Sequence, residues 1–174
     1  MSEDHQHLVA SCRCGQVALE TTGKPIVSVA CYCRSCQEAG RQFERLSGAP
    51  AVLDADGGTA YVLFRKDRVR CAKGGDKLQE HRLQPGSPTR RLVATCCSSP
   101  MFVDFTKGHW LTLYRNRLPD GAGPLQMRVM TGERRGGAGL PQDVPNYRGH
   151  SGKFMWRLLT AWVAMGFRRP KVAM

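Results

Sequence analysis

Apolar and polar residues alternate in short bursts over the first two thirds of the chain. In residues 16–22, Val17 and Leu19 share one face, the period of two expected of a half-buried strand. Residues 25–32 are a mostly apolar run. Further short runs cover residues 59–64, 69–72, 78–83, 91–95, 101–105 and 110–114. Turn signals separate them: Asp56-Gly57-Gly58, Lys73-Gly74-Gly75, Pro85-Gly86-Ser87-Pro88 and Lys107-Gly108. A short helix is expected through residues 38–46. Residues 1–118 therefore read as a mainly β domain of short strands.

The pattern changes after that point. Residues 119–150 are rich in Gly, Pro and Arg and read as a linker, interrupted by a strand at residues 125–130. No Gly-Lys-Ser/Thr follows the glycines, so they do not form a phosphate-binding loop. Residues 151–174 begin with a helix capped by Ser151, in which Met155, Leu158, Leu159, Trp162 and Met165 recur at helical spacing. Phe154, Trp156 and Phe167 widen its apolar face. That face is expected to dock on the β domain or to form a homo-oligomer. With Arg157, Arg168, Arg169 and Lys171 at hand, an interfacial membrane helix is the competing reading.

Charge narrows the partners only a little. The chain has 26 Lys and Arg against 14 Asp and Glu, a formal net charge of +12. The excess is spread out, with doublets at Arg90-Arg91, Arg134-Arg135 and Arg168-Arg169, and no aromatic-interleaved basic motif accompanies it. Solvated surface charge is favoured over nucleic-acid binding. No stretch reaches the roughly 20 apolar residues of a membrane span. The first ten residues carry Glu3, Asp4, His5 and His7 in place of an apolar signal core. A cytoplasmic protein is the expectation, with His5 and His7 in a mobile terminus.

The cysteines change the picture most. Seven of the eight fall into tight groups: Cys12 and Cys14; Cys31, Cys33 and Cys36; and the adjacent Cys96 and Cys97. Such spacings suit tetrahedral zinc better than disulfides, whose geometry needs well-placed Cβ atoms. Cys31, Cys33 and Cys36 can reach one ion from a single turn, leaving a fourth position for water or an external thiol. Cys12 and Cys14 offer two ligands to another ion, with Cys97, alone or joined by Cys96, as the source of the rest. One or two zinc ions are expected. Cys71 stands alone and reads as a small buried residue.

The three groups, taken in order, carry a resemblance. Cys12-Arg13-Cys14-Gly15-Gln16-Val17, Cys31-Tyr32-Cys33-Arg34-Ser35-Cys36 and Cys97-Ser98-Ser99-Pro100-Met101-Phe102 resemble the glutathione-dependent formaldehyde-activating enzyme family, or centromere protein V-type domain. Its pattern is Cys-x-Cys-Gly-x-Val, Cys-x-Cys-x-x-Cys and Cys-x-x-Cys-Gly-Ser/Thr-Pro-Leu. The similarity spans residues 8–115. It implies the Mss4-like β-tent fold, short antiparallel sheets stapled by zinc. It further implies that Cys12, Cys14 and Cys97 belong to a structural zinc site, and that Cys31, Cys33 and Cys36 hold a catalytic zinc. The family's first cysteine of the last motif falls on Ala94, with Cys96 two positions on, and Ser98 replaces the usual glycine.

The resemblance implies thiol chemistry: glutathione or a similar thiol, ionised on zinc, adds to an aldehyde, and the reverse is a carbon–sulfur lyase reaction. Arg13, Arg34 and Arg41 lie close to the cysteines and are candidates for binding the carboxylates of glutathione. Three other readings compete: a purely structural zinc site, a redox pair at Cys33 and Cys36, and a non-catalytic binding module that engages a partner, an anionic membrane or nucleic acid.

Overall fold

The structure is a computed structural model that describes residues 6–119 and 122–172. Its elements are β1 (His7–Ser11), β2 (Ala18–Thr22), β3 (Val27–Cys31), α1 (Arg34–Glu44), β4 (Thr59–Arg65), β5 (Val69–Lys73), β6 (Leu78–His81), β7 (Thr89–Ala94), β8 (Ser99–Phe105), β9 (Trp110–Tyr114), β10 (Met127–Val129) and α2 (Gly152–Ala164). A small sheet has the order β1-β2-β5, and a large one the order β10-β3-β4-β9-β8-β7-β6. Neighbours are antiparallel except β10, which runs parallel to β3.

The large sheet is the middle layer. On β4, Val62 and Phe64 face one apolar cluster with Leu19, Met101 and Leu113, against the small sheet. Tyr61 and Leu63 face the other, with Phe43 of α1 and Phe154 and Leu158 of α2. A strand covered on both faces needs no polar side, which is why residues 60–64 form a continuous apolar run. The fold is the mainly β, two-helix architecture that the sequence implied.

Three details depart from the sequence reading. Strand β1 lies before the first predicted strand: His7 opens it, opposite Thr22 and 3.6 Å from Glu20. His7 is thus part of a sheet rather than of a mobile terminus, whereas His5 lies outside the described residues. Helix α1 begins at Arg34, four residues earlier than expected, because the Cys33 sulfur accepts the Cys36 backbone N–H at 3.4 Å and caps it. Cys71 is half-buried and sits at the edge of the core.

The segment at 122–150 lies along the large sheet. Besides contributing β10, it buries Arg128, which pairs with Asp143 at 2.7 Å. The Arg128 backbone also accepts from Tyr147 N–H at 2.9 Å and donates to Pro145 carbonyl at 2.9 Å. Ser151 caps α2, its hydroxyl accepting from Phe154 N–H at 3.0 Å. Phe154, Leu158, Ala161 and Met165 then turn inward at helical spacing.

Candidate metal centres

Two turns from different sheets build the first cluster. Cys12 and Cys14 lie between β1 and β2, where Gly15 takes φ +73° and the Cys12 sulfur accepts Val17 N–H at 3.3 Å. Cys96 and Cys97 lie between β7 and β8 of the large sheet. Their four sulfurs lie within 4.8 Å of one another. Measured pairs are Cys12–Cys14 at 3.6 Å, Cys12–Cys96 at 3.8 Å, Cys14–Cys96 at 3.3 Å and Cys96–Cys97 at 4.0 Å. A tetrahedron with zinc–sulfur bonds of about 2.3 Å has edges of about 3.8 Å, so the donor set fits that ion.

Both cysteines of the adjacent pair lie within the cluster. Ala94 is fully buried at the end of β7, within the apolar cluster. Cys96, two residues further along the turn, brings its sulfur to 3.3 Å from that of Cys14. Ser98 sits at φ +53°, a conformation that favours glycine, and its hydroxyl donates to Ser47 carbonyl at 2.9 Å.

The second cluster is local. Cys31 ends β3, Cys33 caps α1 and Cys36 lies in the first turn of α1, with all three sulfurs within 4.8 Å of one another. The segment after residue 119 braces this turn. Glu133 accepts the Arg34 backbone N–H at 2.7 Å through its carboxylate and the Gln37 amide at 3.0 Å through its carbonyl.

In each cluster one thiol is stabilised as a thiolate at its neighbours' expense. Hydrogen bonds from Cys31 and Cys36 hold Cys33 far below the ordinary thiol range. The same contact with Cys33, followed by Cys36 and burial, pushes Cys31 well above it. In the four-sulfur cluster, burial and the adjacent Cys14 and Cys12 push Cys96 up to about 12. Burial would also raise Cys97, but hydrogen bonds from Ser99 and Cys14 outweigh it and bring it to about 6. Protons alone cannot let such groups ionise together; a divalent cation can.

Buried cations complete the balance. Arg91 is only 2% exposed, donates to Ser35 carbonyl at 3.3 Å and faces Cys36, Tyr61 and Tyr114. It donates to the Ser35 hydroxyl as well, and its Nε has no hydrogen-bond partner among the described residues. A buried guanidinium needs a counter-charge. Three thiolates and one divalent ion carry one net negative charge, which Arg91 matches. At the other cluster, half-buried Arg117 faces Cys97 and Cys12 and lies beside Arg13. Four thiolates and one divalent ion would leave two negative charges, which half-buried Arg117 and exposed Arg13 would face.

The two clusters differ in what lies beyond them. Cys31 and Cys36 line an open pocket of about 170 Å³, together with Val29, Leu63, Trp110 and Val129 among others, and Phe154 of α2. Tyr61 also lines it and donates its hydroxyl to the Cys36 sulfur at 3.5 Å. Burial pushes the Tyr61 phenol well above its ordinary pKa, so it stays a donor. His150, exposed and stacked on Phe154 at 5.4 Å, lines it as well.

The predicted cysteines thus converge as the spacing suggested, while the three predicted arginines do not. Arg34 is exposed beside Cys33. Arg41 lies two turns further along α1, tied to Glu38 at 2.8 Å. Arg13 belongs to the four-sulfur turn, its backbone N–H donating to Ser99 at 3.2 Å. Sequence reasoning missed Arg91, Arg117, Glu133 and His150. Arg91 had one signal, a cation inside an apolar strand pattern; the others had none.

The family described as glutathione-dependent formaldehyde-activating enzyme matches residues 7–116. No curated protein sequence matches the chain. A crystal structure of a protein from Rhodobacter sphaeroides is similar over 79% of this chain and 98% of that one, with 13% identity and a TM-score of 0.47.

Proposed function

We propose that this chain, which belongs to the glutathione-dependent formaldehyde-activating enzyme family, binds two zinc ions and joins a glutathione-type thiol reversibly to an aldehyde. The observation that carries the reading is the asymmetry of the clusters. Four sulfurs gather in one cluster, whereas Cys31, Cys33 and Cys36 form a set of three, of which Cys31 and Cys36 line a pocket. A three-sulfur centre with an open position is the form catalytic zinc takes. Bound there, zinc would hold the incoming thiol as its thiolate.

The chain's own residues would do the rest. Cys31, Cys33 and Cys36 hold the ion, and Arg91 beneath them offsets their charge. Tyr61 donates to Cys36 and keeps that sulfur oriented. Arg34, exposed next to Cys33, is placed to take a carboxylate of the thiol substrate. The position of Arg13 supports a counter-charge role at the other cluster, and Arg41 is already engaged by Glu38. In the reaction the thiolate sulfur bonds to the carbonyl carbon, the C=O π bond breaks, and a proton ends on oxygen; the reverse is carbon–sulfur lysis. The eight free thiols suit a reducing compartment, the cytoplasm in this reading.

The test is a glutathione titration of cobalt-substituted protein. A thiolate-to-cobalt band that grows with glutathione and is lost in Cys33→Ser is expected. A spectrum already saturated without glutathione would mean that protein ligands close the site, and the centre would then be structural.

One observation favours a second role for the C-terminal region. Among the described residues no helix is long and apolar enough to cross a membrane. Yet Met155, Trp156, Leu159 and Val163 expose an apolar face on α2, opposite the one packed on the sheet. No acidic residue follows Asp143, while Arg148, Lys153, Arg157, Arg168, Arg169 and Lys171 do. That combination fits an anionic lipid surface. A second copy docking about a two-fold axis would bring like charges together. Sedimentation with phosphatidylserine vesicles, reversed by salt, is the expected result. A dimer in lipid-free solution would assign the face to a homo-oligomer instead.

A further inference from the structure

We infer that the three-sulfur site takes aldehydes whose carbonyl carbon carries a phenyl ring or a chain of about six carbons, in preference to formaldehyde. This rests on the thiol–aldehyde reading above and concerns what the pocket beside Cys31 and Cys36 is shaped to hold.

Size is the first argument. The pocket measures about 170 Å³. An apolar cavity of roughly 150 Å³ is known to hold a benzene ring and to stay dry otherwise. Formaldehyde, with two heavy atoms, would leave most of this volume unfilled. The pocket is open to solvent on one side, so a hydrocarbon substituent can enter it and displace water from its walls.

Lining is the second. Val29, Leu63, Val103, Trp110, Val129 and Phe154 supply apolar walls. Few polar groups interrupt them: the sulfurs of Cys31 and Cys36 with the Tyr61 hydroxyl beside Cys36, Thr112 on β9, and exposed His150. A substrate with a reactive carbonyl and a hydrocarbon substituent matches that arrangement. Its carbonyl would lie at the sulfurs, and its substituent would be removed from water against the walls.

The origin of the walls is the third. Family similarity ends at residue 116. Val129 and Phe154 lie beyond it, on β10 and α2. These elements are held in place by the parallel pairing of β10 with β3, by the Ser151 cap and by the hydrogen bond from His109 to Leu158 carbonyl at 2.8 Å. The C-terminal region therefore builds part of a substituent pocket onto the sulfur turn that lies within the family match. The reaction keeps the balance given above: sulfur–carbon bond formed, C=O π bond broken, thiol proton transferred to oxygen, no redox change.

The experiment uses the zinc-loaded full chain and calorimetric titration with two thiols, phenylmethanethiol and 2-mercaptoethanol. Phenylmethanethiol is expected to bind at least tenfold more tightly. Val103→Phe, which fills the pocket, brings the two affinities to within about twofold; Thr112→Phe fills it from β9 should Val103→Phe fold poorly. Turnover of glutathione with benzaldehyde and with formaldehyde is followed in parallel, with a higher kcat/KM for benzaldehyde expected. Equal affinity of the two thiols for the unaltered protein would overturn the pocket inference, whatever the activity. A formaldehyde preference in turnover would also overturn it. Strong ring preference with no turnover of either aldehyde would keep the pocket as a binding site and overturn the thiol–aldehyde reading.

Discussion

The two sulfur clusters share a ligand type and differ in what they connect. The four-sulfur cluster joins turns 82 residues apart, from Cys14 to Cys96, one in the small sheet and one in the large. Loading it ties the two sheets together. The three-sulfur cluster spans a single turn between β3 and α1, ties no distant segments, and opens onto a pocket. The clusters thus differ in topology as well as in the number of sulfurs: an ion in the first would close a long loop, and one in the second would tie no distant segments.

The largest effect should come from breaking the first cluster. Cys14→Ser or Cys96→Ser removes a tie between sheets and is expected to cost about 3 kcal/mol or more, with one zinc lost per chain. Cys33→Ser should also lose one zinc but shift the thermal midpoint far less. Circular-dichroism melts alongside elemental analysis read both. Equal destabilisation by the two kinds of variant would abolish the distinction.

Next is charge. Arg91→Met removes the buried counter-charge of the three-sulfur site only. Zinc affinity there should fall about 10- to 100-fold, as for other supporting partners of metal ligands, and the four-sulfur site should be unaffected. Competition with a chromophoric chelator resolves two classes of site; a parallel loss from both would refute the assignment of Arg91 to one cluster.

A pH change should also discriminate. Burial holds His109 below its ordinary pKa, and the nearby charges of Arg169 and Lys66 oppose protonation as well, although the bond to Leu158 works the other way. The unfolded chain then binds more protons than the folded one below about pH 6.5. Stability held through His109 is therefore present above that pH and falls as the medium is acidified. Since His109 anchors α2, the protection factors of α2 amides, corrected for the slower intrinsic exchange in acid, should fall at pH 5.5 relative to pH 7.5 more than those of strands that do not touch α2. His109→Gln should flatten the response.

The smallest effect concerns the turn after Cys97. Ser98→Gly relieves a left-handed backbone and is expected to add about 0.5 kcal/mol, net of the lost bond to Ser47. A decrease would mean that the Ser98 hydroxyl matters more than its backbone angle.

Much of this was legible in the residues, for reasons of range. Strands β2 to β9 follow from period-two patterning and turn residues, which act over a few positions. The three-sulfur turn follows from the spacing of Cys31, Cys33 and Cys36, and the family from the order of three motifs. The start of α1 was misjudged because cysteine is not among the usual capping residues, yet Cys33 caps it. Strand β1 escaped notice because it is short, with only Leu8 and Ala10 turned inward.

By itself the sequence determined the ligand chemistry, the mainly β class and the local turn that gathers three sulfurs, since each depends on neighbours in the chain. Only the tertiary structure decided the rest. It brought Cys96 to the sulfurs of Cys12 and Cys14, put Arg91 beneath one cluster and Arg117 beside the other, and folded residues 122–172 over the sulfur turn to wall a pocket. These are contacts between segments tens of residues apart. They are set by which faces of the sheets must be covered, and no local pattern encodes that.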